Sequence, residues 1–204
     1  ELIRKAVTSE MLSTNLQRVV LNGNFGDPCI HPNFIDISKY IVDHAHKDLS
    51  LNISTNGAMF DNEYWKQVAQ TLSGLKNHKI IFAIDGLEDT HHIYRRNTSY
   101  QDVIDHAKTF IDHGGRATWQ FIVFDHNQHQ VDEAKSRANE IGFDNIFFKG
   151  GFSHDGGARN YTKAVDGRIV DVGAETKKNK AVETSVSDRE AFKDAKNDVV
   201  NSMK

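Results

Sequence analysis

The segment from Arg18 to Lys149 alternates short β-rich runs with amphipathic helical stretches, and this alternation restricts the fold more than any other feature. The strand candidates are Arg18–Asn22, Leu49–Ser54, Lys79–Ile84, Thr118–Phe124 and Asn145–Lys149. Each is short, rich in β-branched or aromatic residues, and bounded by turn formers. Between them lie helical patterns. Phe34, Ile37, Ile41, Val42 and Ala45 recur at helical spacing in 33–47. Asp61 opens the next helix as an N-cap, with Tyr64, Trp65, Val68 and Leu72 on one face. Ser99 opens a third, with Val103, Ile104, Ala107, Phe110 and Ile111 facing inward and Gly114 at its end. The fourth, 130–142, stops at Gly142. Strands separated by helices need crossovers, so the sheet is expected to be parallel with right-handed connections. This is an α/β fold class. Periodicity alone leaves a closed barrel, a partial barrel and an open doubly wound sheet as alternatives.

A chain of 204 residues suits one domain with an appended segment. The repeat occupies 1–150, beginning with a leading helix expected over Glu1–Leu12. The segment 151–204 differs: it is polar and glycine-rich, read as an irregular tail with a terminal helix over Asp188–Met203. The net charge of −3 gives no electrostatic case for binding nucleic acid or an anionic membrane. No apolar run approaches the ~20 residues that span a bilayer, and no secretory leader pattern opens the sequence. The single cysteine, Cys29, forbids an internal disulfide, so a cytoplasmic location is expected.

Both prolines and that cysteine fall in one loop, Asn22–Pro32, "NGNFGDPCIHP". Glycine permits backbone angles that side chains forbid, and proline fixes φ, so the loop is built to hold one shape. It follows the first strand. The other strand ends run into "STNG" (Ser54–Gly57), Asp85-Gly86, Asp125–His129 and Lys149–Gly151. Active sites of parallel α/β proteins form at these C-terminal strand ends.

These loops together resemble the radical S-adenosylmethionine (SAM) enzymes. "GNFGDPCIHP" is similar to the family's "GGEP" loop, with Asp27 in the glutamate position. "LNISTNG" resembles its next strand, and "FAIDGLEDTHHIYRRNTSYQDVIDHAKTF" resembles its "SIDG…H…R" segment. "FIVFDHNQHQVDEAKSRANEIGF" is similar to the strand and helix that follow. The resemblance implies a partial TIM-like barrel and two cofactors, S-adenosylmethionine and a 4Fe-4S cluster. It also implies reductive cleavage to a 5′-deoxyadenosyl radical that abstracts hydrogen from a peptide or small-molecule substrate. An electron donor such as flavodoxin or ferredoxin is the implied partner. Gly26, Asp27 and Pro28 would contact the methionine amine. Ser54, Thr55 and Asn56 would lie near the methionine or ribose, and Asp85 would accept a ribose hydroxyl. Asn127 and the backbone at Phe148 would border ribose and adenine.

One departure is large. The family's CxxxCxxC motif, whose thiolates hold the cluster, is absent; Cys29 lies in a different loop. With Glu1 at the start, the resemblance implies an N-terminally truncated member, inactive alone, lacking the first strand and cluster loop. A cluster-less, non-catalytic binding module of the same fold is the alternative. A third reading is a metal-dependent hydrolase using His31, His91, His92, His126 and His129 with Asp85 and Asp125, although no HxH or HExxH spacing occurs. His91–Asn97, "HHIYRRN", is a basic stretch that could face an anionic substrate or simply be solvated. "GGFSHDGGARN" with Arg159 could cradle a phosphate, but matches no phosphate-loop pattern.

Overall fold

The computed structural model describes residues 2–23, 26–150, 162–165 and 168–170. Five strands, β1 (Arg18–Leu21), β2 (Ser50–Thr55), β3 (Asn77–Ala83), β4 (Ala117–Val123) and β5 (Asn145–Gly150), form one sheet. They lie side by side in chain order, every neighbouring pair parallel. The sheet is not closed into a barrel. It is the partial (β/α) barrel that the resemblance implies, one of the three arrangements the repeat allows, in an α/β fold.

The crossovers are α3 (Phe34–His44), α4 (Asn62–Leu72), α6 (Tyr100–Asp112) and α7 (Val131–Ile141). Their starts are locally encoded. The Asp61 carboxylate accepts the Tyr64 amide at 3.0 Å, and the Ser99 hydroxyl accepts that of Asp102 at 3.3 Å. Before β1 the structure has two helices, α1 (Leu2–Ala6) and α2 (Ser9–Thr14), in place of the single leading helix. Thr8 is the reason: its side chain accepts the Met11 amide and starts a new helix. A short helix, α5 (His91–Tyr94), lies in the loop after β3.

Alternation along the strands sends one set of side chains under the helices. Leu51, Ile53, Ile80, Phe82, Trp119 and Phe121 are fully buried there. Trp65 of α4 meets Phe82 at 5.2 Å, and Phe82 meets Phe110 of α6 at 6.0 Å between ring centroids. The Trp119 indole N–H donates to the Ile84 carbonyl at 2.7 Å, so its polar atom is satisfied inside the core.

In the segment that the sequence suggests is irregular, β6 (Thr162–Val165) and β7 (Arg168–Val170) pair antiparallel. The Gly-rich stretch with Arg159 and the proposed terminal helix lie outside the described residues. No helix of the described residues is long and apolar enough to cross a membrane.

Candidate functional site

The loops at the C-terminal ends of β1 and β2 are joined through one carboxylate. Asp27 caps a single 3-10 turn, Pro28–Ile30, its Oδ1 accepting the Cys29 amide at 2.9 Å. Its Oδ2 accepts the Thr55 hydroxyl at 2.8 Å and the Asn56 amide at 2.6 Å. Thr55 Oγ1 in turn accepts the Gly57 amide at 3.0 Å, and Asn56 Oδ1 accepts that of Ala58 at 3.0 Å. Gly26 has φ +122°, in the region that side chains avoid. The rigidity implied by "GDP" is therefore physical: glycine permits the turn, Asp27 ties it to β2, and Pro28 sets the helical turn that follows.

The loops after β3 and β4 are joined by a second buried network. Asp85 is 0% exposed. Its Oδ1 accepts the Ile122 amide, and its Oδ2 accepts Nε of Arg95 at 2.6 Å. Burial pushes the Asp85 carboxyl above the usual carboxylate range, while the Arg95 guanidinium and the Ile122 amide hold it back. Asn127 is 0% exposed; it accepts the Phe124 amide at 2.7 Å and donates to the carbonyls of Asp85 and Ile122 at 3.2 and 3.0 Å. Gln130 accepts the Leu87 amide at 3.1 Å and the Thr90 hydroxyl.

Between these two networks lies a cleft of about 250 Å³ lined by Gly23, Gly26, Asp27, Ser54, Thr55, Asn56, Ala83 and Arg95. Five residues singled out by sequence, Gly26, Asp27, Ser54, Thr55 and Asn56, thus share one cavity. The others stand elsewhere. Pro28 begins the turn behind Asp27. Asp85 and Asn127 are buried in the β3–β4 network with their polar atoms engaged. The Phe148 ring packs on Phe121 at 5.4 Å beneath Lys135 of α7, on the helix side of the sheet. Arg95, in the basic stretch that the sequence leaves open to an anionic ligand or to solvent, is the cleft's cation. Its signal was its position ten residues after Asp85, which is visible in the sequence, but the pairing itself is not.

Asp27 and Arg95 put an acceptor and a cation on the walls of this one cleft. It does not suit an iron–sulfur cluster. Cys29, the sole cysteine, is 1% exposed, and burial, then the Asp27 charge, pushes its thiol far up. Among the described residues no three His, Cys, Asp or Glu side chains converge to hold a metal ion. The histidines of the hydrolase reading are dispersed: His91 is hydrogen-bonded to Thr98 at 2.9 Å, and His126 stacks on Phe124 at 5.3 Å. A larger groove, about 650 Å³, lies between α1 and α3 and shares no residue with the rim cleft.

No protein-family model and no curated protein matches the sequence. Solved structures do. SuiB of Streptococcus suis is similar at TM-score 0.58 and 12% identity, over 99% of this chain and 40% of SuiB. SuiB bound to S-adenosylmethionine is similar at TM-score 0.52 and 14% identity, over 65% of this chain and 29% of that one. SuiB bound to its precursor peptide SuiA gives TM-score 0.52 and 14% identity, over 65% and 28%. The chain thus spans 28–40% of the length of these three structures. The parallel five-strand sheet, its helical crossovers and these likenesses agree: the chain shares the fold of the SuiB structures over the part that matches.

Proposed function

We propose that the rim cleft binds S-adenosylmethionine by its amino-acid end, as the cofactor-binding part of a radical SAM enzyme. The observation that carries this is the pairing of opposite charges in one cavity of about 250 Å³: the Asp27 carboxylate and the Arg95 guanidinium. A carboxylate has about four lone-pair sites. Asp27 spends three on Cys29, Thr55 and Asn56, leaving one on Oδ1 for the ligand ammonium. Arg95 uses Nε on Asp85, leaving its terminal nitrogens for the ligand carboxylate in the fork geometry that guanidinium favours. Asp85 acts through Arg95, holding it in place. Cleaved by one electron, S-adenosylmethionine supplies a carbon radical for hydrogen abstraction. The described residues provide no ligand set for the cluster, so this chain's part is to bind and orient the cofactor.

Calorimetric titration with S-adenosylmethionine and with methylthioadenosine, which lacks the amino-acid end, tests this. Binding of the first, with at least tenfold weaker binding of the second and of the first to Asp27→Asn, is the expected result. Equal affinity for both ligands overturns it. A cluster-less binding module is favoured by one observation, the single cysteine of the sequence. It shares the cleft and predicts the same binding, but no cofactor cleavage by the longest reading frame that contains the chain.

A further inference from the structure

The sheet has two unlike faces. Parallel sheets are ordinarily covered on both sides, and here α3, α4, α6 and α7 cover one. The other carries the alternate residues of each strand, and these are half-buried or exposed across the upper sheet: Val20, Asn52, Ser54, Lys79, Ile81, Gln120, Ile122, Phe147 and Lys149. Strand register orders them. Val20, Asn52 and Lys79 form one row; Ala83, Gln120 and Phe147 form a higher row; Ile122 pairs with Lys149 at the rim.

The charges of this face have one sign. Its strands present Arg18, Lys79 and Lys149 and no Asp or Glu among the described residues. None of the three makes an ion pair with a described carboxylate. Lys149 feels the Asp85 charge, but that carboxylate is already engaged by Arg95 and the Ile122 amide. Lys149 Nζ instead lies over the Phe147 ring at 5.4 Å, exposed, with the half-buried Gln120 amide one strand away. A cation above a ring, an amide and an aliphatic side chain, Ile122, thus stand together at the rim, on the level of the Asp85–Arg95 pair.

We propose that a substrate lying on this face, beside the rim cleft, bears an anionic group, phosphate or carboxylate, next to a planar or apolar portion. Lys149 contacts the anion, Phe147 and Ile122 the apolar part, and Gln120 a polar atom between them. The proposal rests on the cofactor reading for its location, because a substrate must lie beside the rim cleft, and on charge complementarity for its class.

Amide-resolved NMR of the full chain, titrated with phenyl phosphate and with neutral benzyl alcohol, tests it, with and without S-adenosylmethionine. Phenyl phosphate should shift Gln120, Ile122, Phe147 and Lys149, and bind more tightly than benzyl alcohol. Lys149→Gln, at an exposed position, should keep the wild-type melting temperature and weaken phenyl phosphate by roughly tenfold, the size of one charge-assisted contact. Equal binding of the neutral analogue, an unchanged Lys149→Gln affinity, or shifts confined to Ser54–Asn56 overturns the proposal. Benzoate in place of phenyl phosphate separates carboxylate from phosphate recognition. Shifts at Lys149 with phenyl phosphate but none at Asn56 and Gly57 with S-adenosylmethionine support the anion site and retire the cofactor reading alone.

Discussion

Nε of Arg95 donates to Oδ2 of Asp85 at 2.6 Å, joining a side chain that lines the rim cleft to one with no exposed surface. The buried carboxylate fixes where the guanidinium points. Removing the cation strands the anion. Arg95→Gln should therefore cost about 3–5 kcal/mol of stability, read as a lowered urea midpoint. Asp85→Asn keeps an acceptor for the Ile122 amide and should cost less. An Arg95→Gln variant within about 1 kcal/mol of wild type would show that the pair is solvent-screened and not a clamp.

Asp27 accepts three hydrogen bonds from two loops. Asp27→Ala leaves those donors without an acceptor and should lower stability by about 2 kcal/mol, with loss of S-adenosylmethionine binding. Thr55→Val removes one donor and should cost about 1 kcal/mol with a smaller effect on binding. Thermal melts and calorimetry on the two variants separate these effects. Greater damage from Thr55→Val than from Asp27→Ala contradicts the assignment of Asp27 as the hub.

His91 is buried, and burial, then Arg95 and His92, lowers its pKa from 6.5 to about 4. His78 is also lowered, chiefly by burial. A histidine depressed in the fold takes up its proton more readily when unfolded. Between about pH 6.5 and 4 the unfolded state therefore binds more protons, and stability falls as pH falls. The slope approaches about 1.4 kcal/mol per pH unit for one such group. Asp85, its carboxyl raised by burial, opposes this, so the test is a comparison: His91→Gln should lose less stability between pH 7 and pH 5 than the wild type, read as urea midpoints. An equal pH dependence in the two proteins contradicts it.

Gly86 follows Asp85 with φ +137°, and an added Cβ would lie 2.7 Å from the His91 amide nitrogen. Backbone cannot yield as a side chain can. Gly86→Ala should cost about 2 kcal/mol or more and loosen the loop that carries Arg95. A calorimetric scan reads the first effect and S-adenosylmethionine affinity the second. A melting temperature equal to wild type would show that the loop adapts.

Much of the fold was legible because its signals are local. Asp61 and Ser99 cap helices from three residues away, and the strand runs bury alternate residues as their pattern implies. Thr8 shows the limit, since a capping residue inside an apparently continuous helical pattern divided it. The two short strands of the tail pair antiparallel within a segment whose polar composition reads as irregular. The site was half legible. "GDP" and "STNG" announce a constrained rim, so Asp27, Thr55 and Asn56 could be named. Asp85 and Asn127 look like ligand contacts for the same reason, as polar residues at strand ends. Whether such a side chain faces a ligand or is consumed by its neighbours depends on contacts 37 and 42 residues apart in sequence, which no local pattern carries. Arg95 was obscured by the converse problem. A basic residue in a loop looks solvated until its buried partner is known.

The central claim is that Asp27 and Arg95 together read the two charges of the cofactor's amino-acid end. A crystal structure of the chain soaked with S-adenosylmethionine tests it most directly. Density is expected in the rim cleft, with the ammonium within hydrogen-bonding distance of Asp27 Oδ1 and the carboxylate on the terminal nitrogens of Arg95. A ligand bound in the groove between α1 and α3, or in the rim cleft with its adenine on Asp27 and Arg95, would contradict it.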